Sequence, residues 1–197
     1  VAFLGRTAKP QSRQYDLPTY TGLEQFLQMV DIVDICAPTH LHVQFALAAA
    51  KAGKPTICEK PLSLTTAEGL AVKAAFEERC LPLQIAHVLR FNPAYRAMRD
   101  AILGGQIGTP AVLRLSRLSF APKRGDDSWF NDDNKSGGIA FDLMIHDFDY
   151  ACWIAGDVSS VYAKSCRYGF GHTIAILKHD SGAISHIEGS WAQPAPF

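Results

Sequence analysis

The groups best able to do chemistry sit at two places in this 197-residue chain. One is Glu59-Lys60-Pro61, which closes the apolar run "KPTIC". The other is "DLMIHDFD", in which Asp142 and His146 stand four residues apart. A lysine, a carboxylate and a histidine are the parts of a proton-transfer site: the ammonium stabilises developing negative charge while the imidazole moves a proton. A Glu-Lys pair at the end of an apolar strand is costly to desolvate unless something uses it, and Pro61 fixes the backbone beside it. On a helix, a spacing of four puts Asp142 and His146 on one face, and Asp149 extends the same stripe. The neighbours Phe141, Leu143, Met144 and Ile145 are apolar, so these charges lie on a buried helix and need partners. Taken alone, each has a plainer reading, Lys60 as a surface lysine and Asp142–His146 as a surface pair.

Other polar groups compete with these. His40 and His42 form an HxH, but no carboxylate or cysteine spacing around them builds a zinc site. They read as helix-start histidines, and no metal is expected. A metal-dependent hydrolase using His40, His42 and Asp142 stands as a rival reading. "HVLRFNP" carries His87 and Arg90 after a further strand, where they could hold a domain junction. "DDSWFNDDNKSGG" sets Trp129 and Phe130 among hydrogen-bonding groups, which suits a sugar as well as a solvated connection. His172, His179 and His186 recur every seven residues without a shared face.

These residues must be positioned by the elements around them. "VAFLG", "DIVDICAP", "KPTICEKP" and "LPLQIAHVL" read as strands. "GLEQFLQMV", "HVQFALAAAKAG" and "TTAEGLAVKAAFEERC" read as helices between them, with Gly53 ending one and Thr65 or Thr66 capping another. Strands alternating with helices at short spacing predict a parallel α/β sheet. After "NPAYRAMRDAILGGQIG" the pattern changes. "PAVLRLSRLSF", "SVYAKSCRYG", "HTIAILKHD" and "GAISHIEGSWA" predict a mostly antiparallel sheet, interrupted by one helix over "GIAFDLMIHDFDYACWIAG". The expected division is 1–88 and 89–197. In open parallel sheets ligands bind beyond the carboxyl ends of the strands, which is where "APTH", "EKP" and "HVLRFNP" fall.

Composition narrows the function class. With 48% hydrophobic and 19% charged residues the chain can build a substantial core. Its formal net charge of zero and the lack of a basic run argue against nucleic acid or an anionic membrane as partner. Five widely spaced cysteines without a CxxC, several of them in apolar runs, read as free thiols of a cytoplasmic protein.

Three stretches together carry a family resemblance: "VDICAPTHLHVQFALAAAKAGKPTICEKPLSLTTAEG", "HVLRFNPAYRAM" and "GGIAFDLMIHDFDYACWIAG". They resemble the Gfo/Idh/MocA family of nicotinamide-dependent oxidoreductases, and EKP followed by GG-x3-D-x3-H is the specific part. The resemblance implies a Rossmann domain followed by an α+β domain on an open, mostly antiparallel sheet. It implies Lys60, Asp142 and His146 as catalytic residues in the oxidation of a sugar or polyol alcohol, with His146 as acid/base. Pro38, Thr39, His40, Glu59 and Lys60 would lie against the cofactor, and Arg90, Trp129, Asp142 and His146 against the substrate. Lys60 and His146 are expected to meet at one substrate hydroxyl. A homo-oligomer through the C-terminal sheet is expected. A family member without catalysis, kept for sensing or assembly, is the second rival.

Two features set expectations of their own. The stretch "LGRTAK" after the first strand carries Arg6 and no acid. An arginine suits a ribose 2′-phosphate, which inclines the expected cofactor to NADP over NAD. No GxGxxG occurs in the sequence. Val1 therefore aligns with the family's second strand, a βα unit of ~30 residues is expected before it, and the chain is expected to stop short at its other end too.

Overall fold

The computed structural model describes residues 3–4, 18–166 and 171–195. Arg6 and the polar connection of 5–17 lie outside the described residues. The chain divides into two compact units, Val1–Ala86 and His87–Phe197.

In the first unit, β3 (Val33–Ile35), β4 (Thr56–Cys58) and β5 (Leu83–Ile85) pair in parallel in that order. Two helices connect them, α2 (His42–Lys51) and α3 (Thr66–Glu77). Each is bounded as its sequence dictates. The Thr65 hydroxyl accepts from the Glu68 backbone N–H and donates to the Glu68 carboxylate, closing the first turn of α3. Helix α2 ends against Gly53, whose φ of +71° suits a residue without a Cβ. Its alanines Ala46, Ala49 and Ala50 are fully buried, so helix and sheet approach closely. Cys58 is buried in the same core; burial first and the Glu59 charge second push its thiol up to about 12. A second, two-stranded parallel sheet joins β1 (Phe3–Leu4) to β2 (Thr19–Tyr20), with α1 (Leu23–Met29) following. Among the described residues β1 and β3 do not pair with each other.

In the second unit a four-stranded sheet runs β6 (Val112–Leu118), β9 (Ile184–Ser190), β8 (His172–His179), β7 (Val158–Cys166). β7, β8 and β9 are antiparallel, whereas β6 and β9 are parallel, so the sheet is mixed rather than purely antiparallel. Alternation decides its faces. Thr173, Ala175, Leu177 and His179 of β8 point inward, while Ile174, Ile176 and Lys178 point out. The inner face packs on α6 (Ile145–Ala155), and α4 (Pro93–Leu103) packs on α6 in turn. The short α5 (Asp133–Ser136) lies between β6 and α6 in the chain. The buried His179 donates from Nδ1 to the Gly156 carbonyl and hydrogen-bonds the Ser185 hydroxyl through Nε2, each partner 2.8 Å away.

The sequence predicts one helix across 138–156. The structure instead has a π-helical turn, Ala140–Met144, leading into α6. The turn packs the fully buried Met144 onto Gly189 of β9, where a Cβ would overlap the Met144 side chain. Gly189→Ala is therefore expected to destabilise the second unit by about 1–3 kcal/mol, as overpacking does. Trp129, Trp153 and Trp191 all lie in this unit, so tryptophan fluorescence in urea reads the loss directly.

Candidate active site

In the first unit the candidate residues gather where β3 and β4 end. Parallel pairing sets Ile35 opposite Cys58, and the Glu59 N–H donates to the Ile35 carbonyl at 3.0 Å. The chain beyond β3 turns through Pro38 into a 3-10 turn, Thr39–Leu41, and then α2. Thr39 is buried and His40 exposed. The chain beyond β4 runs through Glu59 and Lys60, both half-buried, into a cis bond to Pro61. The imidazole of His42 lies between these two turns, 1% exposed. Its Nδ1 is 2.6 Å from the Pro61 carbonyl oxygen and its Nε2 is 2.8 Å from that of Ala37. With both ring nitrogens so occupied, His42 has none to offer a metal.

In the second unit Asp142 lies in the π-helical turn and His146 in the first turn of α6, both half-buried. Gly137 and Gly138 precede them with φ of +77° and +65°. Both angles fall in the left-handed region, and a Cβ on Gly138 would also press on the Asp133 carboxylate at 3.1 Å. This is the physical content of the glycine pair: it turns the chain sharply just ahead of the π-helical segment that carries Asp142. Single-turn π segments inside helices recur at functional sites because they re-aim side chains.

Two ion pairs anchor the helix that carries His146. The Arg90 guanidinium grips Asp149 through Nε at 2.8 Å and Nη2 at 2.7 Å, and His87 Nδ1 is 3.7 Å from the same carboxylate. The hydrogen bond to Asp149 raises the Arg90 pKa, overcoming partial burial. Trp153 lies under both Arg90 and Arg99, at 5.6 and 4.4 Å from ring centroid to guanidinium carbon. Arg117 of β6 binds Asp147 bidentately at 2.7 and 2.8 Å, and its Nη2 reaches the Tyr95 hydroxyl at 3.4 Å. The Asp147 hydrogen bonds raise the Arg117 pKa, so the guanidinium is held charged. The Tyr150 hydroxyl donates to the Tyr95 carbonyl at 3.1 Å, and the two rings meet edge to face.

Trp129 begins a 3-10 turn and stacks edgewise on the buried Phe130, which packs on Trp191. Beside them opens a cleft of about 900 Å³ walled by Phe120, Lys123, Arg124, Phe130, His172 and Trp191 among others. Trp129, Asp142 and His146 are not among its walls. Residue patterns alone do not reveal the pairing of Asp147 with Arg117 or of Asp149 with Arg90. The first leaves a trace: Arg117 occupies an inward position in the alternation of "VLRLSRL", where a charge requires a partner.

A three-stranded parallel sheet in the first unit and a mixed, mostly antiparallel sheet carrying a helix in the second define a two-unit α/β architecture. Residues 3–87 match the family model described as "Oxidoreductase family, NAD-binding Rossmann fold", and residues 95–197 match that of the "GFO/IDH/MocA C-terminal domain". The chain belongs to the Gfo/Idh/MocA oxidoreductase family. It is 36% identical over 171 residues to the uncharacterized oxidoreductase YrbE of Bacillus subtilis (strain 168), covering 82% of this chain and 49% of that one. It is 33% identical over 171 residues to myo-inositol 2-dehydrogenase of Thermotoga maritima, covering 82% and 50%. The solved structure of levoglucosan dehydrogenase in complex with NADH and levoglucosan superposes with a TM-score of 0.82 at 25% identity, covering 90% of this chain and 52% of that one. The chain thus spans about half the length of the curated relatives it matches. Among the described residues no helix is long and apolar enough to cross a membrane.

Proposed function

We propose that this chain forms part of a nicotinamide-dependent dehydrogenase that oxidises a secondary alcohol of a sugar or polyol. The observation that carries the reading is the Lys60 turn at the carboxyl end of a parallel sheet, within a chain that also sets Asp142 on a π turn behind a glycine pair and His146 in the helical turn that follows. When bound, the nicotinamide supplies the hydride acceptor. Pro38, Thr39, His40, Glu59 and Lys60 would hold that end of the cofactor, because the turns after β3 and β4 lie side by side.

The chain's own residues do the rest. His146 takes the hydroxyl proton as the alcohol is oxidised. The Lys60 ammonium stabilises negative charge as it develops on that oxygen. Asp142 binds substrate hydroxyls and orients His146, while Arg90 and Trp129 offer a charged and an aromatic surface to the sugar. The names of the relatives, an inositol dehydrogenase and a levoglucosan dehydrogenase, support polyols and sugars as the substrate class. In this reading residues 1–88 serve cofactor binding and residues 89–197 substrate binding. The outer face of the four-stranded sheet, with Tyr162, Ile174, Ile176 and Ile184 exposed, supports pairing with a second copy. Five free cysteines support a cytoplasmic setting.

A screen of polyols and aldoses with each nicotinamide cofactor, on the full chain, tests the reading. Reduction of cofactor by at least one alcohol is expected. Arg6 leads us to expect a higher kcat/KM with NADP; equal or better efficiency with NAD removes that preference. Undiminished ligand binding without turnover on any alcohol would favour a non-catalytic role.

A further inference from the structure

The cleft of about 900 Å³ in the second unit has no part in the roles given so far. One side of it is built where two parallel strands run out. Beyond β6 and β9 the chains stay joined: the Ser119 N–H donates to the Ser190 carbonyl at 2.8 Å, the Gln193 N–H donates to the Ser119 carbonyl at 3.2 Å, and Phe120 bridges to Ala192. The walls run on to Ile139 and Ala140, where the π turn that carries Asp142 begins. Small-molecule sites of about 300–1,000 Å³ combine apolar faces with a few placed polar groups. This cleft has both, since Phe120, Phe130 and Trp191 line it together with Lys123 and Arg124. Arg124 differs from the arginines that anchor α6. Arg90 and Arg117 are each spent on a carboxylate. The Arg124 guanidinium carbon instead lies 3.8 Å from the centroid of the Phe130 ring. Phe130 is buried and held by Trp129 and Trp191, so the stack fixes where the guanidinium stands. Stacking uses the face of the guanidinium and leaves its N–H donors, which lie in its plane, for oxygen atoms. Among the described residues neither Lys123 nor Arg124 has a carboxylate within 4.0 Å. Asp126 and Asp133 also line the cleft, but neither comes that close to either cation. His172, on another wall, meets Glu188 at 3.1 Å.

We propose that the cleft binds an anionic group on the sugar substrate, a carboxylate or a phosphate, with Arg124 and Lys123 as the residues that select for it. The planar fork of Arg124 meets either group bidentately, and Lys123 adds a second charge from the preceding position. Asp126 and Asp133 accept from the sugar's hydroxyls and repel the anion, which sets the ligand's direction in the cleft. The substrate class narrows accordingly, from polyols and sugars in general to sugar acids or sugar phosphates.

That the ligand is a sugar rests on the dehydrogenase reading, so the test reads binding and no turnover. The full chain is titrated calorimetrically with D-glucose, D-galactose and D-mannose, each as the neutral sugar, the uronate and the sugar phosphate. For at least one sugar an anionic form is expected to bind tighter than the neutral form by about 10-fold or more, as charge-assisted hydrogen bonds allow. The tighter anion tells whether carboxylate or phosphate is the group selected. Arg124→Gln is expected to cut that advantage by about 10-fold, and Lys123→Gln to cut it by less. Equal affinity for anionic and neutral forms, or no binding of any anion, overturns the proposal. An advantage that survives Arg124→Gln also overturns it, because the anion is then held elsewhere. Should Arg124→Gln not fold, Lys123→Gln decides, since the Lys123 side chain is exposed, and an undiminished advantage in it overturns the proposal. Anion-selective binding by a chain that oxidises no alcohol would sink the dehydrogenase reading alone. Turnover of neutral sugars without that selectivity would sink the anion site alone.

Discussion

On the dehydrogenase function proposed above, replacing His146 by alanine is expected to lower turnover of an alcohol by about 10²–10⁴-fold, the usual contribution of a positioned acid/base. Cofactor affinity should hardly change. The expectation combines two features of the second unit. The imidazole stands in the first turn of α6, half-buried, directly after the π-helical turn that carries Asp142. The helix that carries it is also anchored just beyond it, because Asp147 and Asp149 are each held bidentately by an arginine. Removing the ring leaves both ion pairs of the helix in place, so the expected loss is one of chemistry rather than of anchoring. Steady-state kinetics with fluorescence titration of the cofactor separate the two quantities. An alanine variant that keeps wild-type turnover would falsify the assignment of His146 as acid/base.

The second large effect concerns Arg117. Its partner Asp147 is 4% exposed at the side chain, and Arg117 itself 26%. Breaking a buried pair by removing one member leaves an uncompensated charge, which costs about 3–5 kcal/mol. Arg117→Met is expected near the lower end of that range, because a quarter of the side chain remains in water. Removing both charges, as in Arg117→Met with Asp147→Leu, should recover much of the loss, since the desolvated carboxylate is gone. Urea denaturation followed by tryptophan fluorescence reads both variants in the second unit. If the single variant is no less stable than the wild type, the pair is not what anchors α6 to β6.

Much of this architecture is legible in the amino-acid sequence because local chemistry and tertiary demand agree. Thr65 caps α3 and Gly53 closes α2 as their types imply, and the alternation of "HTIAILKH" puts Thr173, Ala175 and Leu177 inside. The shift to a mostly antiparallel sheet is visible for the same reason. Other features are hidden because they depend on distant partners. Periodicity alone makes 138–156 one helix; the π turn arises from seating Met144 against Gly189, 45 positions further on by their numbers. The parallel β6–β9 pairing is likewise absent from either strand's pattern. His42 reads as a helix-start residue, which it is, but its carbonyl partners come from two separate turns. The apolar runs around several cysteines suggest burial, yet only Cys58 is buried; the other four are exposed at strand or helix ends and outward positions.

The parallel pairing of β6 with β9 bears on how the second unit is made. Ser116 and Glu188, bonded side chain to side chain across that pair, are 72 residues apart in sequence. At a synthesis rate of roughly 5–20 residues per second, β6 would wait about 4–14 s on the ribosome before its partner is even translated. During that interval α4 is already available and α6 becomes so partway through, whereas the sheet that α6 covers has neither its inner strand nor its closing hairpin. The first unit's three-stranded sheet joins each strand to its neighbour through a single short crossover and has no such delay. Vectorial synthesis thus leaves one half of the nascent chain able to fold early and holds the other open, with Leu113, Leu115 and Tyr150 without their sheet, until β9 arrives.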